Sequence, residues 1–171
     1  MLNKKFAILN SNNTRIISAL KAHFGDICSI VEENDNFEYY DLIVLVEHEP
    51  DFSVPKNLNV INFHPSLLPS FRCRDAIKEA FLSGVKVSGV TIHRVEEDNF
   101  FGQIIAQYPV LIGLDTHIDD FEKDINEIIA KLAIPVIDSI LNDRVFDFHD
   151  LFKNSCHHNS SCGGNCSSCN H

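Results

Sequence analysis

Two groups of residues in this 171-residue chain have types and spacings suited to chemistry. The first is Asn62 and His64, set in the stretch Asn62-Phe63-His64-Pro65-Ser66-Leu67-Leu68-Pro69. Residues two apart on a strand share a face, so an amide and an imidazole project together while Phe63 turns to the opposite side. Pro65 has no backbone N–H and ends the strand directly after His64. The pair therefore falls at the carboxyl end of a strand, where open α/β sheets place their ligands. An amide and an imidazole converging there can donate two hydrogen bonds to a developing oxyanion. Taken alone, an Asn and a His at a strand end are more often structural.

The second group lies in the last 16 residues, which hold Cys156, His157, His158, Cys162, Cys166, Cys169 and His171. The four cysteines are separated by five, three and two residues, and Gly163-Gly164 permits tight turns between them. That donor set suits a tetrahedral, thiolate-rich metal site. Zinc is the default expectation, with an iron–sulfur cluster as the alternative. The bland reading is a disordered tail with incidental thiols. The opening Met1-Leu2-Asn3-Lys4-Lys5 carries no signal-peptide pattern, so clustered cysteines in a reducing compartment point to metal rather than disulfides.

Regular elements must position the first group. Phe6-Ala7-Ile8-Leu9, Asp41 to Val46 and Leu58 to Phe63 are short apolar runs of the kind that form buried parallel strands. A weaker strand is expected through Ile27 to Val31. Asn10 to Thr14 is a turn and cap cluster, followed by Ile16, Ile17, Leu20 and Phe24 at helical spacing. A helix is expected from Arg74 to Leu82, stopped at Ser83-Gly84. Extended stretches follow over Val85 to Val95 and Gln103 to Ile112. One long helix then closes the body, with Thr116 as its expected cap, Asp119 and Asp120 in its first turn, and a kink at Pro135. Its inner face reads Ile118, Phe121, Ile125, Ile128, Ile129, Leu132, Val136, Ile137 and Ile140. Strands alternating with helices predict an α/β domain with a mainly parallel sheet.

The composition, 44% apolar and 22% charged, is that of a globular chain with one core. Two parts are expected, an α/β domain over 1–153 and a Cys/His-rich, metal-binding tail over 154–171, which lacks any large apolar residue. A net charge of −10 repels a phosphate backbone, which argues against nucleic acid as a partner. No apolar run reaches the roughly 18 residues of a membrane span. A cytoplasmic protein acting on a small molecule is the expectation; nothing in the sequence bears on oligomeric state.

The run Asn62 to Phe71, NFHPSLLPSF, resembles the active-site strand and loop of the formyltransferase family, in particular its glycinamide ribonucleotide branch. The likeness continues through Gly84 to His93, Gly102-Gln103-Ile104-Ile105-Ala106-Gln107, and Gly113-Leu114-Asp115-Thr116. It implies a formyltransferase-like, Rossmann-like three-layer fold and transfer of a formyl group from 10-formyltetrahydrofolate to an amine through a tetrahedral intermediate. By the same resemblance Asn62 holds the oxyanion, His64 stabilises it and helps move the proton, and His93 lies near the folate. Ser66 and Asp98 complete the expected substrate-binding set with His93.

The chain also departs from that pattern. The family's catalytic aspartate falls at Phe100. A carboxylate beside an imidazole raises its pKa, whereas a phenyl ring adds only desolvation, which lowers it. Phe100 is therefore expected in contact with His64, and only a remodelled loop would bring Asp98 or Glu97 to the ring instead. The turn at Asn10 to Thr14 has no glycine where the family binds phosphate. The segment after the second buried strand, apolar in the family, reads Glu47-His48-Glu49-Pro50-Asp51, and the family's substrate-binding glutamate falls at Ala130. Only 52 residues separate Leu9 from Asn62, so at least one β–α unit is expected to be missing, making the fold a truncated one. Three readings follow: a compact formyltransferase, a catalytically degenerate binding or regulatory domain with a metal-responsive tail, or a metal carrier or assembly factor in which the tail is the functional part.

Overall fold

The computed structural model describes residues 4–9, 13–33, 35–47, 58–96 and 100–149. The tail and its metal ligands, together with Glu97 and Asp98, lie outside the described residues. Six strands form one sheet: β1 (Phe6–Leu9), β2 (Cys28–Val31), β3 (Leu42–Val46), β4 (Val60–His64), β5 (Val87–Val95) and β6 (Ile104–Leu111). Their order across the sheet is β2-β1-β3-β4-β5-β6. The first four strands pair in parallel, and β5 and β6 are added antiparallel at one side. The expected α/β class and largely parallel sheet are thus what is observed, the weak strand at β2 included.

Alternation within the strands divides the interior into two cores. Phe6, Ile8, Leu42, Val44, Ile61 and Phe63 face one side, where α1 (Thr14–Phe24), α2 (Ala76–Leu82) and α3 (Ile118–Leu141) cover them. Phe121, Ile125, Ile129, Val136 and Ile137 of α3 are fully buried there, each worth about 1.5–3 kcal/mol of transfer free energy. Ala7, Leu9, Ile43, Leu45, Val60 and Val95 face the other side, under Phe37, Tyr40, Leu58 and Phe100. Among the described residues this third layer is made by connecting segments. The link between β2 and β3 must cross β1, and it carries Phe37 and Tyr40 over this second face without a helix.

Local signals explain most boundaries. Asn13 caps α1, its side-chain oxygen accepting from the Ile16 N–H at 3.2 Å. Gly84 follows α2 with φ +73°, a conformation that costs glycine little. The expected cap Thr116 does something else. His117 occupies the cap position of α3 without a side-chain bond, while the Thr116 hydroxyl accepts from the Gly113 N–H at 3.0 Å. The hydroxyl closes the preceding turn, so the first helical amides rely on Asp119 and Asp120 in the first turn for electrostatic compensation.

Candidate functional site

Strand β4 ends at His64, as Pro65 requires, and Phe63 is buried in the helix-covered core. Asn62 and His64 therefore sit on the second face, in the row next to β5. The register pairs Asn62 with His93 and His64 with Thr91, so all four side chains share one face at the carboxyl end of β4. Asn62 and His93 are fully buried, and His64 is 3% exposed. Convergence of Asn62, His64 and His93 is as expected.

Hydrogen bonds settle the orientation of each group. The His93 ring donates from Nδ1 to the Arg94 carbonyl at 3.0 Å, because that oxygen can only accept. Its Nε2 is then the lone-pair nitrogen and accepts from Asn62 Nδ2 at 3.4 Å. Asn62 Oδ1 is left buried with no partner, a position that costs about 1–3 kcal/mol unless something donates to it. His64 donates from Nε2 to the Phe71 carbonyl at 2.9 Å, which leaves Nδ1 as its lone-pair nitrogen. The two imidazole centroids are 6.3 Å apart.

Burial dominates the electrostatics. It pushes His64 down to about 4; the hydrogen bond to Phe71 opposes the shift and the neighbouring His93 adds to it. Burial also lowers His93, with its bond to the Arg94 carbonyl in opposition. No carboxylate among the described residues acts on either ring. His64 is consequently neutral near pH 7, able to take a proton rather than give one.

The aromatic neighbours correct one expectation. It is Phe101 whose ring meets His64, edge-on at 5.4 Å between centroids, while Phe100 meets His93 at 5.8 Å and packs into the second core. Phe101 also lies 5.5 Å from His93, and the Arg72 guanidinium sits 5.4 Å from the Phe101 ring centre. Gly102 donates to the Arg94 carbonyl at 3.0 Å, and a Cβ there would lie 2.7 Å from that oxygen. The site is roofed by aromatic rings.

Ser66 is buried, and its hydroxyl donates to the Ser70 carbonyl at 2.7 Å, which makes it part of the loop's own structure. Ala130 is half-buried against the helix-covered core. Cys28 is a core thiol, pushed up by burial to about 11. Sequence reasoning missed Thr91, Gln107, Phe101 and Arg72. Thr91 was within reach, since it lies two residues before His93 and so shares its face.

A six-stranded, mostly parallel sheet with an amide and two imidazoles at the end of β4 defines a formyltransferase-type α/β protein. Residues 41–137, more than half of the chain, match the family model described as formyl transferase. The chain belongs to the formyl transferase family. It is similar to the phosphoribosylglycinamide formyltransferase of Bacillus subtilis, 42% identical over 82 residues, which is 48% of this chain and 42% of that protein. It also resembles the methionyl-tRNA formyltransferase of Anaplasma phagocytophilum, 34% identical over 116 residues, 64% of this chain and 38% of the relative. The chain thus spans less than half the length of these two curated relatives. Among solved structures, phosphoribosylglycinamide formyltransferase from Streptococcus pneumoniae superposes with TM-score 0.62 at 25% identity, covering 80% of this chain and 98% of that one. Glycinamide ribonucleotide transformylase 1 from Geobacillus kaustophilus gives 0.59 at 26%, over 75% and 94%.

Proposed function

We propose that this protein transfers a formyl group from 10-formyltetrahydrofolate to the amine of a small molecule, in the manner of its phosphoribosylglycinamide formyltransferase relatives. The observation that carries the reading is the fixed Asn62–His93 pair beside a His64 whose Nδ1 holds a lone pair. Asn62 has a second amide N–H to offer a tetrahedral oxyanion, and its unpaired Oδ1 accepts from the attacking amine. The amine nitrogen bonds to the formyl carbon, the carbon–nitrogen bond to the donor breaks, and the proton shed by the amine passes through His64 Nδ1 to the departing nitrogen. His64 starts neutral and becomes an imidazolium only as the oxyanion forms. No carboxylate among the described residues assists that protonation, since Phe101 meets His64 and Phe100 meets His93, so the rate is expected to be lower than with a paired imidazole. The test is an assay with 10-formyltetrahydrofolate and a panel of amines, glycinamide ribonucleotide included. Turnover that disappears in His64→Ala supports the reading. Turnover by no amine, with the folded protein failing to bind the folate, refutes it in favour of a degenerate binding domain.

The tail reading rests on sequence chemistry alone. Among the described residues no group of three or more His, Cys, Asp or Glu side chains could hold a metal. The tail offers Cys156, Cys162, Cys166 and Cys169, with His157, His158 or His171 as substitutes, for one zinc or an iron–sulfur cluster. Elemental analysis should give about one zinc equivalent per chain, or the several irons of a cluster, lost on truncation after Lys153. A metal-free protein whose tail thiols all react freely would dispose of the idea.

A further inference from the structure

One side chain of the outermost strand reaches the site without touching it. The registers β4–β5 and β5–β6 place His64, Thr91 and Gln107 in a single row across three strands. The Thr91 hydroxyl, fully buried, donates to the Ser66 carbonyl at 2.7 Å and accepts from the Leu68 N–H at 3.0 Å. Its remaining lone pair accepts from Gln107 Nε2 at 3.1 Å, and the same Gln107 nitrogen donates to the Leu68 carbonyl at 2.9 Å. Three hydrogen bonds thus tie these two side chains to the loop that runs from Pro65 to Phe71, and a fourth joins the side chains to each other. That loop ends on Phe71, a non-glycine residue at φ +52°, a conformation that persists only where its surroundings hold it. The Phe71 carbonyl is the acceptor for His64 Nε2.

We propose that Gln107, acting through Thr91 and Leu68, is a positioning residue that holds the Phe71 carbonyl against His64 and so fixes the His64 tautomer with its lone pair on Nδ1. The bonds end on loop backbone rather than on core or helix, which separates this role from general packing. Gln107 is also the side chain through which the antiparallel strand β6 acts on the end of β4. A glutamate in its place has no N–H to give Leu68 or Thr91, and a methionine has the length but no polar atom of use. The role rests on the reading of His64 as the proton-handling group, but its test does not need turnover.

The test is nitrogen NMR of the His64 side chain in the full chain, free of ligand, for wild type, Gln107→Met, Gln107→Glu and Thr91→Ser. Wild type should show one tautomer, protonated on Nε2, with that proton protected from solvent exchange. Gln107→Met and Gln107→Glu should give mixed tautomers and at least tenfold faster exchange of the Nε2 proton, whereas Thr91→Ser, which keeps the hydroxyl, should behave as wild type. Where formyl transfer is measurable, kcat should fall about tenfold or more with KM little changed, the pattern of a misplaced group. A folded Gln107→Met with an unchanged His64 tautomer and exchange rate overturns the proposal. If that variant does not fold, the same result in Gln107→Glu overturns it. An altered tautomer in a chain that never transfers formyl keeps this inference and removes the catalytic one.

Discussion

Replacing His64 by glutamine should flatten the acid side of the stability curve. The folded ring titrates at about 4 against an ordinary value of 6.5, so between those pH values the unfolded chain binds more protons than the folded one. Stability from this site is therefore fully present above pH 6.5 and is lost as pH falls toward 4. The difference of 6.5 and about 4, at 1.36 kcal/mol per unit, gives about 3 kcal/mol for complete titration. Linkage places about 2 kcal/mol of that between pH 7 and pH 5. The assay is urea unfolding of wild type and His64→Gln at pH 7, 6, 5 and 4.5. The variant is less stable at pH 7 because a well-packed ring is gone, but it should lose less as pH falls. With a urea slope of about 2 kcal/mol/M, the wild-type midpoint should fall about 1 M further than the variant's between pH 7 and pH 5. His93 shifts in the same direction and is present in both proteins, so the comparison isolates His64. Parallel pH dependences, or an NMR titration of His64 near 6.5, would refute the buried, carboxylate-free environment on which the mechanism rests.

Three further outcomes are expected. Gly89→Ala places a Cβ 2.0 Å from the Tyr108 carbonyl oxygen and should cost at least about 2 kcal/mol, while Gly84→Ala, with open space around it, should cost only about 1; thermal unfolding ranks the two. Asn62→Ala should cut formyl transfer about 10²–10³-fold at saturating donor, and a loss under threefold would remove Asn62 from the mechanism. Because Phe101 rather than Phe100 touches His64, Phe101→Asp should raise the His64 pKa and the transfer rate, whereas Phe100→Asp should act first on His93. Titration of both rings by NMR separates these cases, and equal shifts at His64 in the two variants would contradict the assigned contacts.

Asn62 and His64 were legible because three facts read directly from residue types agree: period-two alternation, a proline after His64, and a phenylalanine between the pair. The strands at β1, β3 and β4 were legible for the same reason, being apolar runs bounded by turn residues. Thr116 was misassigned because a hydroxyl near a helix start can serve the helix or the turn before it, and only the distance to Gly113 decides. Phe100 was expected on His64 because the family resemblance puts the catalytic aspartate at that position. The β5–β6 register shifts between Ile92 and His93, an irregularity no spacing rule reveals, and in the structure it is Phe101 that meets the His64 ring. Gln107 was hidden for a related reason, since its row depends on two strand registers at once.

The uneven covering of the sheet has a dynamic consequence. Among the described residues three helices protect one face, but the face that carries Asn62, His64 and His93 is covered by Phe37, Tyr40, Leu58 and Phe100 on connecting segments. Such segments bury few apolar neighbours and open at free energies well below global unfolding. Amides of β1 and β3 should therefore exchange with deuterium only through complete unfolding. Those around Phe37 and Tyr40 should exchange through smaller, faster openings. Asn62, His64 and His93 are at most 3% exposed in this closed arrangement, so under the proposed function a reactant meets them only when such a segment opens.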